Sequence, residues 1–222
     1  MTDDGSAPLG ILGGTFDPIH HGHLRLAEEV VERCGFDCLH LIPGGVPPHR
    51  AAPGVTAAHR LAMVRLAAKG NLRLVVDDRE VRKATPSYTV ETLAELRTEV
   101  GPARPIALVV GADAFGGLPS WSRWTTLFSL AHLVVAGRPG FTLAPEAPAL
   151  RAELDARRFP GGVRDALASA PAGCIVPVET TLLDISASAI RRCLAAGESA
   201  RYLLPDAVLD YIDRNRLYQG AQ

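Results

Sequence analysis

Three histidines lie beside a glycine-rich turn near the start of the chain, in the stretch GGTFDPIHHGHL at residues 13–24. The stretch follows the apolar run PLGIL, typical of a buried strand, and leads into the helical pattern HLRLAEEVVERCG. Glycines let backbone approach a ligand, and the free N–H groups of a helix start favour an anion. His20 and His23 are three residues apart, so we expect both on one side of the helix start, where imidazoles can donate to phosphate oxygens.

Metal binding and ordinary surface histidines are the alternative interpretations of this stretch. Zinc needs three or four ligands. His20, His21 and His23 could supply two or three, but no cysteine or glutamate cluster completes the set. A set of surface histidines at a helix cap stays open as an interpretation, and His21 fits it well because it points away from the other two. We therefore expect no metal held by protein side chains.

The elements that would position these residues alternate between strand and helix along the chain. Apolar runs such as PIALVVG and HLVVAGRPG are typical of strands covered on both faces, and amphipathic segments separate them. This order predicts an α/β fold: a Rossmann-like, doubly wound parallel sheet with helices on both faces and a C-terminal helical segment at 186–218. We expect a single domain over 1–222, with residues 140–173 as a mobile insertion or small subdomain because they are too long for a simple connection.

Composition excludes several classes of protein. A net charge of −1 gives no indication of a nucleic-acid or acidic-membrane partner. No apolar run is long enough to cross a bilayer, and the N-terminus MTDDGSAPLG lacks the features of a signal peptide. The four cysteines show no CxxC pair, which favours reduced thiols in a cytoplasmic protein. The oligomeric state stays open, a homo-oligomer included.

Two separated motifs carry a resemblance to a known superfamily. GTFDPIHHGH matches the GxFxPxHxGH signature of the nucleotidyltransferases, and ISASAIR at residues 185–191 is similar to their second signature, near ISSTxxR. Further blocks follow in order: PGGVPPHR, HRLAMVRLA, DDREVRKATPSYTVETL, VVGADAF, LPSW, RPG and YLLPDAVLDYI. Together they resemble the bacterial nicotinate-nucleotide adenylyltransferases over nearly all of residues 9–218, apart from the 140–173 segment.

The resemblance implies a reaction that joins ATP and nicotinate mononucleotide to give deamido-NAD and pyrophosphate. The nucleophile would be the substrate's own phosphate, whose second pKa near ~6 leaves it mostly dianionic at pH 7. No protein base is then needed, which agrees with the absence of a GxSxG or other nucleophile–base pattern. Magnesium would be carried on the ATP phosphates, with few protein ligands.

The resemblance also implies residues for the ATP end. Catalytic roles would belong to His20, His23, Arg191 and Arg50; lysine often stands in the family where this chain has Arg50. Asp17 would shape the turn rather than take part in catalysis. The residues expected to bind ATP are Gly13, Gly14, Thr15, Phe16, His20, His23, Gly111, Asp113, Ile185, Ser186, Ser188 and Arg191. Ser186 is also a good N-cap.

For the nicotinate end, Trp121 resembles the family's stacking residue, with a core tryptophan as the alternative, and Trp124 is expected in the core. Arg138 would meet the mononucleotide phosphate unless it is an ordinary surface arginine. Ser87 is in addition a candidate N-cap for the helix SYTVETLAELRTEVG. The residues expected to bind nicotinate mononucleotide are Thr15, Arg50, Thr85, Ser87, Tyr88, Thr89, Trp121 and Arg138.

Three rival functions stay open at this point. A pantetheine-phosphate adenylyltransferase usually has TxGH where this chain has HHGH, and it lacks the TPSYT block. An enzyme for nicotinamide mononucleotide is disfavoured, because neutral backbone donors in TPSYT would favour the acid over the amide. A nucleotide-binding sensor without turnover is disfavoured by the presence of His20, His23, Arg50 and Arg191 together.

Overall fold

A six-stranded, fully parallel sheet forms the centre of the molecule, with the order β3-β2-β1-β4-β5-β6. The computed structural model describes residues 7–45 and 54–219. The strands are β1 (Leu9–Gly14), β2 (Leu39–Pro43), β3 (Leu74–Val76), β4 (Ile106–Gly111), β5 (His132–Gly137) and β6 (Ile175–Glu179). This order confirms the predicted doubly wound sheet, in which the connections reverse direction between β1 and β4.

Helices cover both faces of the sheet. They are α1 (His21–Cys34), α2 (Ala57–Ala68), α3 (Thr89–Val100), α4 (Ala112–Gly116), α5 (Leu127–Leu130), α6 (Pro148–Arg157), α7 (Val163–Ser169), α8 (Ala187–Ala195) and α9 (Asp206–Arg214). Two short 3₁₀ turns lie at Leu118–Ser120 and Trp124–Thr126. Helix α1 ends where the sequence predicts, because Gly35 takes the left-handed conformation (φ 72°) that a glycine adopts without strain. No helix in residues 7–45 and 54–219 is long and apolar enough to cross a membrane.

Two apolar clusters lie on opposite faces of the sheet because side chains alternate along each strand. On β1, Ile11 packs into one cluster and Leu12 into the other. Ala107 and Leu108 are divided between the clusters in the same way on β4. Helices α1, α2, α7, α8 and α9 contribute to the cluster of Leu12, and α3 to α6 contribute to that of Ile11.

The segment 140–173 contains two helices that pack into these clusters. Leu150 and Leu154 of α6 are 0% and 4% exposed, and Leu167 of α7 is 1% exposed. Arg164 of α7 donates hydrogen bonds to the carbonyls of Glu32 and Arg33 at the end of α1. The segment is thus the helical connection from β5 to β6. Its mobility, and the single-domain organisation of 1–222, stay predictions.

The beginning of α3 differs from its prediction. Tyr88, not Ser87, is the N-cap residue of α3. The Ser87 hydroxyl is instead buried without a hydrogen-bond partner in the described structure. It lies close to Gly45, where a Cβ would come within 3.3 Å of the Ser87 Oγ. Packing against the loop after β2 has therefore outweighed the capping preference of serine.

Candidate active site

The carboxyl ends of β1 and β4 lie side by side at the point where the sheet reverses its order. Strand β1 pairs with β2 from Gly10–Leu39 to Gly14–Pro43 and with β4 from Leu9–Ile106 to Leu12–Val109. A Cβ added to Gly13 at the end of β1, or to Gly111 at the end of β4, would meet nothing within 4 Å. Ligands of open parallel sheets bind at this kind of position. Both glycines therefore border open space where a ligand is expected.

The turn after β1 is built on Phe16, which lies in the left-handed region (φ 48°) although it is not glycine. Its side chain is 2% exposed and meets the ring of His23 edge-on, with 5.1 Å between centroids. Gly14 leaves room for this ring, since a Cβ there would be 3.0 Å from it. The peptide bond between Asp17 and Pro18 is cis. Buried packing thus holds Phe16 in its left-handed conformation shortly before the histidines.

His20 and His23 lie side by side at the start of α1. His20 is the N-cap residue and is 5% exposed; its ring stacks on that of His23 with 3.7 Å between centroids. Burial and, to a smaller extent, the proximity of His20 together lower the pKa of His23 to about 3. Burial also lowers the pKa of His20 to about 4, with a smaller contribution from His21. Both imidazoles are therefore neutral at pH 7 without ligand.

The hydrogen bonds of the two rings decide which nitrogens can donate. The His20 backbone N–H donates to Nδ1 of His23 at 3.3 Å, so the proton of a neutral His23 lies on Nε2. Nδ1 of His20 is buried and has no partner within the described residues. Nε2 of His23 is thus a candidate donor at the helix start, whereas Nδ1 of His20 is enclosed by protein. His21 lies elsewhere, in a cleft with Leu24 and Arg25, as its spacing predicts.

The beginning of α8 lies next to the beginning of α1. A Cβ on Gly22 would be 3.6 Å from the carbonyl oxygen of Ile185, the residue before the N-cap of α8. Ser186 is that N-cap, and its hydroxyl accepts a hydrogen bond from the Ala189 N–H. Two helix N-termini therefore converge at the carboxyl edge of the sheet, where both favour negative charge.

Arg191 of α8 reaches across to the turn after β1. Its Nη1 donates to the Asp17 carbonyl at 2.7 Å, and its Nη2 donates to the Ser188 hydroxyl at 3.3 Å. The Asp17 carboxylate lies 3.8 Å from the guanidinium. The structure thus brings the predicted cation of the second motif beside the segment that carries the histidines.

Asp17 connects three distant parts of the chain. Its Oδ2 accepts from the Gly54 N–H at 2.7 Å, and its Oδ1 accepts from the Tyr218 hydroxyl at 2.6 Å. Burial, followed by the contact with Asp17, raises the pKa of Tyr218. With Arg191 on its carbonyl, Asp17 holds together the β1 turn, the segment before α2 and the C-terminus. This agrees with the shaping role expected for it.

Arg60 belongs to this region, although the sequence analysis did not select it. It is 1% exposed; its Nη1 donates to the Thr15 carbonyl at 2.7 Å and its Nη2 to the Gly45 carbonyl at 2.8 Å. A signal was present in the pattern of α2. Arg60 lies three and four residues before the buried Met63 and Val64, so a cation falls on the apolar stripe of the helix.

The residues predicted for the nicotinate end lie at the same edge of the sheet as the histidines. Tyr88 and Trp121 are half-buried against the cluster of Ile11. Trp124 is also half-buried, and its ring meets Phe128 edge-on at 6.0 Å. Thr89 begins α3, and Thr85, Asp113 and Arg138 are exposed. Arg50 lies outside the described residues.

The chemistry open to this arrangement is the binding and stabilisation of anions. The donors are neutral imidazoles, a guanidinium and two helix N-termini, which suit phosphate groups. Residues 7–45 and 54–219 contain no group of three or more His, Cys, Asp or Glu side chains that could hold a metal ion. A divalent ion would therefore need ligands from a bound nucleotide and water.

Comparison with known proteins agrees with this fold. Residues 11–193 match the family model described as cytidylyltransferase-like. The chain is therefore a nucleotidyltransferase of the cytidylyltransferase-like class. It is 52% identical over 221 residues to a protein of Dechloromonas aromatica, covering 97% of this chain and 100% of that one. It is 50% identical to a protein of Acidithiobacillus ferrooxidans, with 96% of both chains covered.

Both relatives carry the name "Probable nicotinate-nucleotide adenylyltransferase". The chain belongs to the family of nicotinate-nucleotide adenylyltransferases. A solved structure of the Plasmodium falciparum nicotinic acid mononucleotide adenylyltransferase, complexed with NaAD, superposes with a TM-score of 0.69. It covers 96% of this chain and 97% of its own at 17% identity, which shows that the fold is shared.

Proposed function

We propose that this protein transfers the adenylyl group of ATP to nicotinate mononucleotide in NAD biosynthesis. A phosphate oxygen of the mononucleotide attacks the α-phosphorus of ATP in line with the leaving group. The new P–O bond gives deamido-NAD, and the bond from the α-phosphorus to the bridging oxygen breaks and releases pyrophosphate. The observation that carries the proposal is the stacked pair His20–His23 at a helix start, with Arg191 held beside the same turn.

In this proposal the histidines stabilise the charge that builds up on the ATP phosphates. His23 donates from Nε2, because its Nδ1 accepts from the His20 backbone. His20 reaches the phosphates through Nε2, because its Nδ1 is buried. A phosphate placed beside these rings raises their pKa values from about 3 and about 4, because it favours the charged imidazolium. The pair can then gain positive charge as negative charge develops.

Arg191 would contact the phosphates from the side of α8, with Ser186 and Ser188 at the helix start. Its contacts with the Asp17 carbonyl and the Ser188 hydroxyl orient the guanidinium before the substrate arrives. Backbone N–H groups of the turn after β1 donate to the phosphates; this turn comprises Gly13, Gly14, Thr15 and Phe16. At the end of β4, a ribose is held by Gly111 and Asp113. Such preorganisation reduces the entropy lost when two anions are held together.

The nicotinate end would be recognised by the loop before α3 and by Trp121. Backbone donors around Thr85, Ser87, Tyr88 and Thr89 bind the carboxylate, and the half-buried Trp121 stacks on the pyridine ring. Arg138, exposed after β5, meets the mononucleotide phosphate together with Arg50. This assignment explains a preference for the acid, since donors that a carboxylate satisfies are left partly unpaired by an amide.

Magnesium is part of the proposal as a companion of ATP. The described residues suit an ion that keeps phosphate and water ligands, because they provide no cluster of protein ligands. When bound, the magnesium ion would neutralise negative charge on the leaving pyrophosphate. A cytoplasmic location is also proposed, in keeping with four cysteines that form no disulfide.

The experiment that tests the function is pyrophosphate release from ATP and magnesium with three separate acceptors: nicotinate mononucleotide, nicotinamide mononucleotide and phosphopantetheine. We expect strong release with the first alone. Release only with phosphopantetheine would contradict nicotinate mononucleotide as the acceptor, but it would still support adenylyl transfer as the class of reaction. Absence of release with all three, while ATP still binds, would favour a sensor.

A further inference from the structure

Arg60 is a buried cation whose side chain donates hydrogen bonds to two main-chain carbonyls instead of pairing with a carboxylate. It is 1% exposed and forms no ion pair in the part of the chain that the structure describes. Its two terminal nitrogens instead donate to Thr15, after β1, and to Gly45, after β2. Burying a guanidinium is costly unless its donors are satisfied. The fold thus retains a side chain whose burial is energetically unfavourable, at the point where the loops after β1 and β2 meet.

The charges around Arg60 explain how it remains ionised. Burial lowers its pKa, while Asp17, Tyr218 and Glu80 act in the opposite direction. Asp17 also accepts hydrogen bonds from Gly54 and Tyr218. A fixed positive charge therefore lies against the turn that precedes the histidines, near the Asp17 and Glu80 carboxyl groups.

The bond to Thr15 also fixes the direction of a neighbouring N–H group. In a trans peptide the C=O and the following N–H point in opposite directions. Because Arg60 holds the Thr15 carbonyl, the N–H of Phe16 points away from Arg60. This N–H has no hydrogen-bond partner within residues 7–45 and 54–219. Phe16 is also in the left-handed region (φ 48°), a conformation that needs support from its surroundings.

We propose that Arg60 is a positioning residue of the adenylyl transfer: by holding the Thr15 and Gly45 carbonyls it aims the Phe16 N–H at a phosphate group of ATP. Arg60 does not touch the substrate itself. It joins the loops after β1 and β2 in one geometry and keeps the Phe16 donor unpaired until the nucleotide binds. The inference rests on the proposed function, because it takes ATP as the ligand of this turn.

The test compares Arg60→Met and Arg60→Lys with the control Arg65→Met. Methionine fills the site but has no hydrogen-bond donor. Lysine keeps the positive charge, but its single ammonium group cannot reproduce the planar pair of donors of a guanidinium. Arg65 lies on the same helix but is exposed, paired with Asp78. For folded protein we expect ATP affinity and kcat/KM to fall about a hundredfold in Arg60→Met, to fall less in Arg60→Lys, and to stay unchanged in the control.

A spectroscopic measurement separates positioning from simple stabilisation. Thr is followed by Phe only once in the sequence, at residues 15–16, so carbonyl-¹³C threonine with ¹⁵N phenylalanine gives a single amide signal for Phe16. We expect this signal to shift when a non-hydrolysable ATP analogue and magnesium are added to the wild type. In Arg60→Met it should start at a different position and lose that response.

Two results would overturn the role of Arg60. One is a folded Arg60→Met protein whose ATP affinity and kcat stay within threefold of wild type, whatever its thermal stability. The other is a Phe16 signal that the ATP analogue leaves unmoved in the wild type. Failure of the proposed function is distinguishable, because the wild type would then bind ATP and shift the Phe16 signal without releasing pyrophosphate in the presence of nicotinate mononucleotide.

Discussion

The imidazole rings of His20 and His23 stack with 3.7 Å between their centroids and 28° between their planes. Burial keeps both rings neutral, and a neighbouring imidazole adds to this effect: His20 for His23, and His21 for His20. A bound polyphosphate reverses this balance, since it favours at least one protonated ring. The pair is therefore arranged to respond to a nearby anion.

Replacing His23 with alanine should reduce turnover by roughly a hundredfold or more, because a donor to the developing phosphate charge is lost. The fold should remain intact, as measured by circular dichroism and thermal unfolding. His21→Ala is the matched control, since His21 lies in a separate cleft. Turnover of His23→Ala within a few-fold of wild type would contradict the role assigned to this histidine.

Replacing Trp121 with alanine should raise the KM for nicotinate mononucleotide far more than the KM for ATP. The reason is the loss of a stacking surface for the pyridine ring while the phosphate site stays unchanged. Steady-state kinetics with each substrate varied in turn measures the difference. Trp124→Ala, which removes the ring that meets Phe128, should lower stability and leave the ratio of the two KM values unchanged. Equal effects of Trp121→Ala on both substrates would indicate a core role.

The free energy of unfolding should decrease as the pH falls below about 6.5. His20 and His23 have folded-state pKa values of about 4 and about 3, and burial also lowers that of His132. The unfolded chain then binds more protons than the folded one over this range, so acid favours unfolding. We expect a loss on the order of 2 kcal/mol for each of His20 and His23 between pH 7.5 and pH 5.

Urea unfolding of the ligand-free protein at the two pH values measures this loss. The double variant His20→Gln/His23→Gln serves as the control, and its stability should depend less steeply on pH. An identical pH dependence in the two proteins would mean that these histidines do not carry the effect.

Replacing Leu154 with alanine should destabilise the protein by about 2–5 kcal/mol, because a fully packed side chain of α6 is lost from the core. Leu72→Ala is the control, since Leu72 is 86% exposed and should contribute little. Urea unfolding gives both values. A Leu154→Ala protein as stable as the control would mean that α6 is not held against the sheet in solution, as expected of a mobile insertion.

The sequence predicts elements well wherever local pattern and packing agree. The strand–helix alternation gives the parallel sheet, Gly35 ends α1, and Ser186 caps α8. The three-residue spacing of His20 and His23 determines that they share one side of the helix start. These features depend on neighbours within about one helical turn, so they are visible in the chain itself.

Local preference misleads where distant packing competes with it. Ser87 has the residue type of an N-cap, yet the loop after β2 packs against it and Tyr88 takes the cap position. Residues 140–173 suggest a mobile insertion or small subdomain because they are too long for a simple connection. The sequence does not show that Leu150 and Leu154 of this segment are buried in the core.

The sequence alone determined the type of fold, the family resemblance and the pair of histidines, because these depend on periodicity and on short motifs. Only the tertiary structure decided what surrounds them. The Tyr218 hydroxyl reaches an Asp17 that is 201 positions away, and Arg60 reaches the carbonyl of Thr15, 45 positions away. Such contacts follow from how the sheet brings its carboxyl ends together, and no local pattern specifies which distant group will satisfy a buried charge.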